Sequence, residues 1–201
     1  MRLTTKPLSA ETWADLVAVF VGKGCSFARA CWCMCYRESG KPEVPPGQAL
    51  AETRRRRLGR LATSDTSVGL LGHLATKPVG WISFGPREDF KRLCKSPVMK
   101  PVDDEPVWSV VCFVVPSEHR RKGVASALLQ AAIRFCKRRG VRLLEAYPID
   151  QREPTNDQWL WHGCASMFEK AGFVEVARRK PKRPVVRLTI SAKSGRIASR
   201  S

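Results

Sequence analysis

The stretch Ser117–Leu129, SEHRRKGVASALL, sets His119, Arg120, Arg121 and Lys122 directly before a glycine and an apolar stripe of helical period. Adjacent like charges repel, so such a run needs water or an anion around it. A helix start supplies a reason for the anion, because its first N–H groups lack intrahelical partners and its dipole is positive. Gly123 has no Cβ, so a bulky anion can reach the backbone, and Ala125 keeps the next approach open. Arg120 and Lys122 add charge. Together these features make a grip for a phosphate or diphosphate. A solvated basic turn has the same composition; the spacing Arg120-x-x-Gly123-x-Ala125 after a strand favours the anion.

A second group is the cysteine run CSFARACWCMCYR, with Cys25, Cys31, Cys33 and Cys35. Tetrahedral zinc sites use C-x₂₋₄-C pairs on turns. Cys31-x-Cys33-x-Cys35 alternates instead, and no histidine stands nearby, so no metal site is read here. In an extended chain the three thiols share one face, with Trp32, Met34 and Tyr36 on the other. The segment reads as packed and thiol-rich, and as a structural rather than a reactive cluster, although Arg37 beside it could lower a thiol pKa. His73, His119 and His162 form no recognisable nucleophile–base–acid order. His73 reads as a satisfied strand residue, and Arg54–Arg57 as a solvated helix face.

These groups must be held by elements. The pattern gives a strand from Arg2 to Lys6 and a helix capped by Ser9, with Trp13, Leu16, Val17 and Phe20 inward. An irregular link rich in Cys, Gly and Pro follows, then a helix from Gln48 to Ala62. SVGLLGHLA and KPVGWISFG form a hairpin, and Pro86–Pro106 is a charged loop. VWSVVCFVV (107–115) is apolar throughout and reads as a strand buried on both faces. Val124, Leu128, Ala131, Ala132 and Phe135 line a helix that stops at Gly140. VRLLEAYP is another strand. Asn156 or Asp157 caps a helix with Leu160, Cys164, Met167, Phe168 and Ala171 inward, and FVEVARR and PVVRLTI close the chain. The order β-α-α-β-β-β-α-β-α-β-β describes an α/β domain with a mixed central sheet.

The chain has 201 residues, 43% of them hydrophobic, which suits one domain (residues 1–190) with a basic tail (191–201). Lys and Arg number 36 against 18 acids. A net charge of +18 points to polyanions or phosphate-bearing small molecules. Half the surplus lies after Glu175, where nine basic residues and no acid follow. No apolar run spans a membrane and no leader peptide is read, so a cytoplasmic home with mostly free thiols is expected.

VVPSEHRRKGVASALLQAAIRF resembles the acetyl-CoA-binding motif of the GCN5-related N-acetyltransferases (GNAT): Arg or Gln, two residues, Gly, one residue, Gly or Ala, after a bulged strand. Arg120, Gly123 and Ala125 fill its fixed places. SMFEKAGFVEVAR resembles the family's last helix, and CWCMCYR a Cys-Trp-Cys-Met signature in one subgroup. The resemblance implies a GNAT-type fold with a splayed strand pair and acetyl transfer from acetyl-CoA to an amine by direct attack in a ternary complex. Phe113, Val114 and Val115 would face the pantetheine arm, and Arg120, Arg121, Lys122, Gly123, Val124 and Ala125 the diphosphate. Trp32 and Tyr36 would line the acceptor pocket. Where relatives often carry a tyrosine acid, this chain has Phe168, leaving Ser166, Tyr147 and Asp150 as catalytic candidates. Homodimers are common in the family. Two rival readings are a basic nucleic-acid-binding protein, with Arg54–Arg60 and the tail carrying affinity, and an acyl-CoA sensor without catalysis.

Overall fold

The computed structural model describes residues 3–64, 68–150 and 161–190. Strand-period and helix-period segments alternate as β1 (Leu3–Pro7), α1 (Trp13–Val21), α2 (Ser26–Cys31), α3 (Leu50–Ala62), β2 (Gly69–Leu74), β3 (Lys77–Pro86), α4 (Lys91–Lys95), β4 (Trp108–Val114), α5 (Val124–Arg138), β5 (Leu143–Ala146), α6 (Ala165–Lys170), β6 (Val174–Lys180) and β7 (Arg183–Thr189). The strands form one mixed sheet in the order β1-β2-β3-β4-β5-β7-β6. β4 and β5 run parallel, and every other neighbouring pair is antiparallel. No helix among the described residues is long and apolar enough to cross a membrane.

Both faces of the sheet are covered, which is why β3 and β4 read as nearly unbroken apolar runs. Trp81 and Val111 pack with Leu16, Phe20, Trp32 and Leu58 on one side. Ile82 and Val110 pack with Leu128, Ala132, Phe135 and Phe168 on the other. Across β5, the fully buried Glu145 accepts the Tyr147 O–H at 2.6 Å and the Arg187 Nε–H at 2.7 Å, with Arg87 at 3.7 Å. A buried carboxylate without such partners would be strongly destabilising.

Several expectations are corrected. Ser9 is not the cap of α1; Thr12 precedes the helix, and its Oγ1 accepts the Ser9 N–H at 2.9 Å. The irregular link contains α2, and the charged loop contains α4 and a 3₁₀ turn at Arg87–Asp89. The last helix begins only at Ala165. Trp161–Gly163 is turn and coil, and Cys164 forms a bridge with Ile149. The proposed caps Asn156 and Asp157, Leu160, Arg2 and the basic tail lie outside the described residues. Arg54–Arg57 is not a plainly solvated face: Arg54 and Arg57 hold Glu38 at 2.9 and 2.7 Å, and Arg55 stands 5.6 Å over the Trp32 ring. His73 is satisfied only in part: its Nε2 lies 2.9 Å from Asp15, and its buried Nδ1 has no hydrogen-bond partner among the described residues.

Candidate active site

The site is made where two parallel strands separate. β4 and β5 share three rungs, Trp108–Leu144, Ser109–Glu145 and Val110–Ala146. Opposite β3, Ser83 pairs Cys112 and Phe84 pairs Val110, so Val111 is the extra residue of a bulge. A bulge bends its strand and adds twist. β5 ends at Ala146 while β4 runs on to Val114. The opening is partly filled from within: the Phe113 amide donates to the Trp161 carbonyl at 2.6 Å, and the Ile149 amide donates to the Gly163 carbonyl at 3.0 Å. Gly163 permits this approach, since at φ +77° a Cβ would lie 2.6 Å from the Met167 methyl and 3.0 Å from the Phe168 ring.

Beside that wedge lies a cavity of about 480 Å³, within the range of small-molecule sites. One wall is Cys112–Val114 of β4 and the next residue, Val115, with Trp161 and Gly163; another is α2 and the following turn, through Tyr36. The mouth is the basic turn, His119, Arg120 and Arg121, with Gly123–Ser126 at the start of α5. Gly123 has φ +77°, and a Cβ placed on it would meet nothing within 4 Å. The left-handed conformation calls for glycine, and the space above it is open. The Ala127 amide is the first to bond back along the helix, to the Gly123 carbonyl at 2.9 Å. The amides before it lack intrahelical acceptors.

Arg120 has a structural task beside the charge it carries. Its Nε donates to the Val115 carbonyl at 2.9 Å and its guanidinium to the Gly24 carbonyl at 2.6 Å. It ties the α1–α2 link to the end of β4 and so holds the mouth in shape. The splayed strand is therefore less needy than expected, since both the Phe113 N–H and the Val115 C=O already have partners.

Tyr36, which borders the cavity, meets the buried His162, hydroxyl to Nε2 at 2.6 Å. His162 is 2% exposed, and burial lowers its pKa from 6.5 to about 3, with Arg183 acting in the same direction. Burial keeps the ring neutral at physiological pH, and the tautomer decides whether Tyr36 O–H donates to Nε2 or Nε2–H donates to the phenol oxygen. Nδ1 lies beyond ordinary hydrogen-bond geometry from any partner, with the Val111 backbone acting to raise the pKa. Burial pushes the Tyr36 phenol up to about 12, so it stays protonated.

Residues 32–173 match the profile of the Acetyltransferase (GNAT) family, more than half of the chain. The chain belongs to the GNAT acetyltransferase family. The fold agrees. An acetyltransferase from Thermus thermophilus superposes with TM-score 0.53 at 18% identity, covering 94% of this chain and 97% of that one. A GNAT-family acetyltransferase from Streptococcus pneumoniae gives 0.51 at 17%, covering 94% and 100%. Arylalkylamine N-acetyltransferase 2 from Aedes aegypti gives 0.54 at 13%, covering 95% and 100%. At such identities these likenesses carry the fold alone. Among curated proteins, none matches this sequence significantly.

Within this GNAT domain the expected residues separate into groups. Phe113, Val114, Val115, Arg120, Arg121, Gly123, Val124, Ala125 and Tyr36 border the cavity; Lys122 is exposed beside it. Trp32 instead stacks on Phe20 at 5.0 Å in the core. The catalytic candidates lie off the cavity. Tyr147 is 1% exposed with its hydroxyl on Glu145 and Ser109, Asp150 pairs Arg178 at 2.7 Å, and the exposed Ser166 has Cys164 Sγ 3.5 Å from its hydroxyl. Phe168 is fully buried, edge-on to Phe113 and Phe173. Sequence reasoning passed over Trp161 and Gly163 as wall residues. A glycine inside a supposed helix, unfavourable by about 1 kcal/mol, was the signal available.

Proposed function

We propose that this acetyltransferase binds acetyl-CoA through the start of α5 and passes its acetyl group to an amine by direct attack in a ternary complex. The observation that carries the reading is the open left-handed Gly123 at the N-terminus of a fifteen-residue helix, at the mouth of the cavity. A diphosphate there would accept from the amides of the first turn, with Arg121 and Lys122 adding positive field. The pantetheine arm would run along Phe113–Val115. The Val115 carbonyl, already holding Arg120, keeps a second lone pair for a ligand amide.

The coenzyme supplies an activated thioester. The chain's part is to hold it, exclude water and manage two protons. Tyr36 is the proposed proton donor to the departing thiolate, in place of the absent tyrosine at position 168. Tyr36 borders the cavity, and Nε2–H of the buried neutral imidazole donating to the phenol oxygen would orient it and leave its own proton for the sulfur. Orientation of this kind contributes to rate by holding the reacting groups together. Amine deprotonation is assigned to water rather than to Tyr147 or Asp150, whose polar atoms are engaged elsewhere.

The nucleic-acid reading loses support because Arg54 and Arg57 are held by Glu38. The acyl-CoA sensor is separated by turnover. Titration of the full chain with coenzyme A should give saturable heat, and amines added with acetyl-CoA should release free thiol. Gly123→Glu places a carboxylate in the diphosphate position and should weaken coenzyme binding at least about tenfold. Unchanged affinity in that variant would remove the phosphate assignment; binding without thiol release across an amine panel would favour the sensor.

A further inference from the structure

The coenzyme reading uses the mouth of the cavity and its β4 wall; the far end must receive the acceptor. α2 and the turn after it run between the two ends. Arg120 holds the mouth through the Gly24 carbonyl, and at the other end the Arg92 amide of α4 donates to the Tyr36 carbonyl at 3.0 Å. Among the described residues, no aspartate or glutamate lines the cavity. An incoming ammonium therefore finds no carboxylate there, and leaving water without one is costly. That cost favours the neutral amine, which is the form that attacks. A second positive charge on the acceptor would bear the same cost with no such benefit.

The lining is apolar instead. Phe27 of α2 is 45% exposed, and its ring lies 5.8 Å from that of Trp161. Both border the cavity, as does Met167. An apolar ligand group among them would take this surface out of water. The cysteine run adds to the same surface. It is not extended as expected: Trp32 and Cys33 have left-handed backbone, φ 46° and 50°, yet Cys31, Cys33 and Cys35 all border the cavity, where a thiol acts as a small apolar group. Arg92 is the exception. Among the described residues it is the one charged side chain lining the cavity away from the basic turn. Its neighbours Arg37, Arg54 and Arg57 are held by Asp89 and Glu38. Arg92 is exposed and has no carboxylate partner among the described residues. A guanidinium is suited to take a carboxylate through two parallel hydrogen bonds.

We propose that the acceptor is a free α-amino acid with an apolar or aromatic side chain, its carboxylate taken by Arg92 and its side chain lying among Phe27, Trp161 and Met167. The proposal rests on the acetyl-transfer reading and names the acceptor class for it. The amine nitrogen bonds to the acetyl carbonyl carbon and the carbon–sulfur bond breaks. The nitrogen gives up one proton, the departing thiolate takes one up, and the products are an N-acetyl amino acid and coenzyme A. The acceptor enters with one positive charge, which it loses before attack, and with one negative charge, which Arg92 meets.

The test measures thiol release by the full chain with acetyl-CoA and L-phenylalanine, L-alanine, L-phenylalaninamide or spermidine, beside calorimetry with coenzyme A alone. Alanine keeps the carboxylate and loses the ring; the amide keeps the ring and loses the negative charge; spermidine brings further positive charge. Phenylalanine should exceed each of the others at least about tenfold in kcat/KM. Arg92→Gln should raise KM for phenylalanine about tenfold and bring phenylalanine and its amide to within about threefold of each other. A variant that merely lost structure would lower both and keep their ratio. The wild-type preferences decide the matter if the variant does not fold. Equal or better use of the amide, as a peptide N-terminus would give, overturns the class, as does equal use of alanine or spermidine. An unchanged phenylalanine-to-amide ratio in folded Arg92→Gln overturns the carboxylate assignment. Heat from coenzyme A without thiol release from phenylalanine overturns the acceptor class and leaves the coenzyme site standing, whereas no heat from coenzyme A removes both.

Discussion

Two tyrosines illustrate how little a residue's type says before its surroundings are known. Tyr147 directly follows β5, yet its hydroxyl is spent on Glu145 inside the sheet. Tyr147→Phe should cost about 1.5–3 kcal/mol, as for a hydrogen bond to a charged group, read by thermal melting, with turnover by the folded enzyme within about twofold. Tyr36→Phe should do the opposite. It should leave KM nearly unchanged and lower kcat about a hundredfold, in the range of general acid catalysis; a loss smaller than about threefold would take Tyr36 out of the proton path. His162 makes a third statement, about pH. Its folded-state pKa, about 3, lies below the ordinary 6.5. Between those values the unfolded chain binds the extra proton, so stability falls as pH falls, by at most ~1.4 kcal/mol per unit from this group. Denaturant melts at pH 7, 6, 5 and 4 for wild type and His162→Gln check it: the variant's profile should be flatter. Equal slopes would place the titration elsewhere.

At the scale of elements, the decisive feature is a parallel pair that stops after three rungs and a turn that enters the gap. Trp161–Cys164 is held by the Phe113 amide on one side and by Ile149 on the other. Gly163→Val would push a branched side chain against Met167, Phe168 and Phe113 from a left-handed backbone position. We expect a loss of at least about 3 kcal/mol, combining overpacking with backbone strain, and faster exchange at the Phe113 amide by hydrogen–deuterium measurement. Unchanged protection there would mean that the turn does not hold the gap.

For the whole molecule, the net charge of +18 matters less than where it is fixed. Arg54 and Arg57 are tied to Glu38, Arg178 to Glu175 and Asp150, and Arg187 to Glu145 and Asp103. The basic turn stands at the mouth of the cavity, where a small phosphorylated ligand would meet it. Coenzyme binding should thus weaken only modestly between 50 and 200 mM salt, roughly as for a few charges, whereas nucleic-acid binding through many phosphates would fall by about a thousandfold or more. Calorimetric titration at the two salt concentrations separates them. A steep slope with a nucleic-acid oligomer and no heat from coenzyme A would reverse the functional reading.

The sheet, the buried β4 and the glycine-led start of α5 were legible in the residues because their causes are local. Apolar period sets helix or strand, an apolar run sets burial, and a glycine after the basic run sets the left-handed turn before α5. The sequence also determined that Phe168 has no hydroxyl to give. Only the tertiary structure decided which polar groups meet. Tyr36 and His162 lie 126 positions apart and close at 2.6 Å, and Arg120 reaches back 96 positions to Gly24. The turn after α2 uses left-handed backbone conformations, φ 46° and 50°, that no composition rule assigns to Trp32 and Cys33. Long-range polar contacts of this kind depend on how packed layers bring distant segments together, and that is a property of the folded core rather than of any stretch of chain.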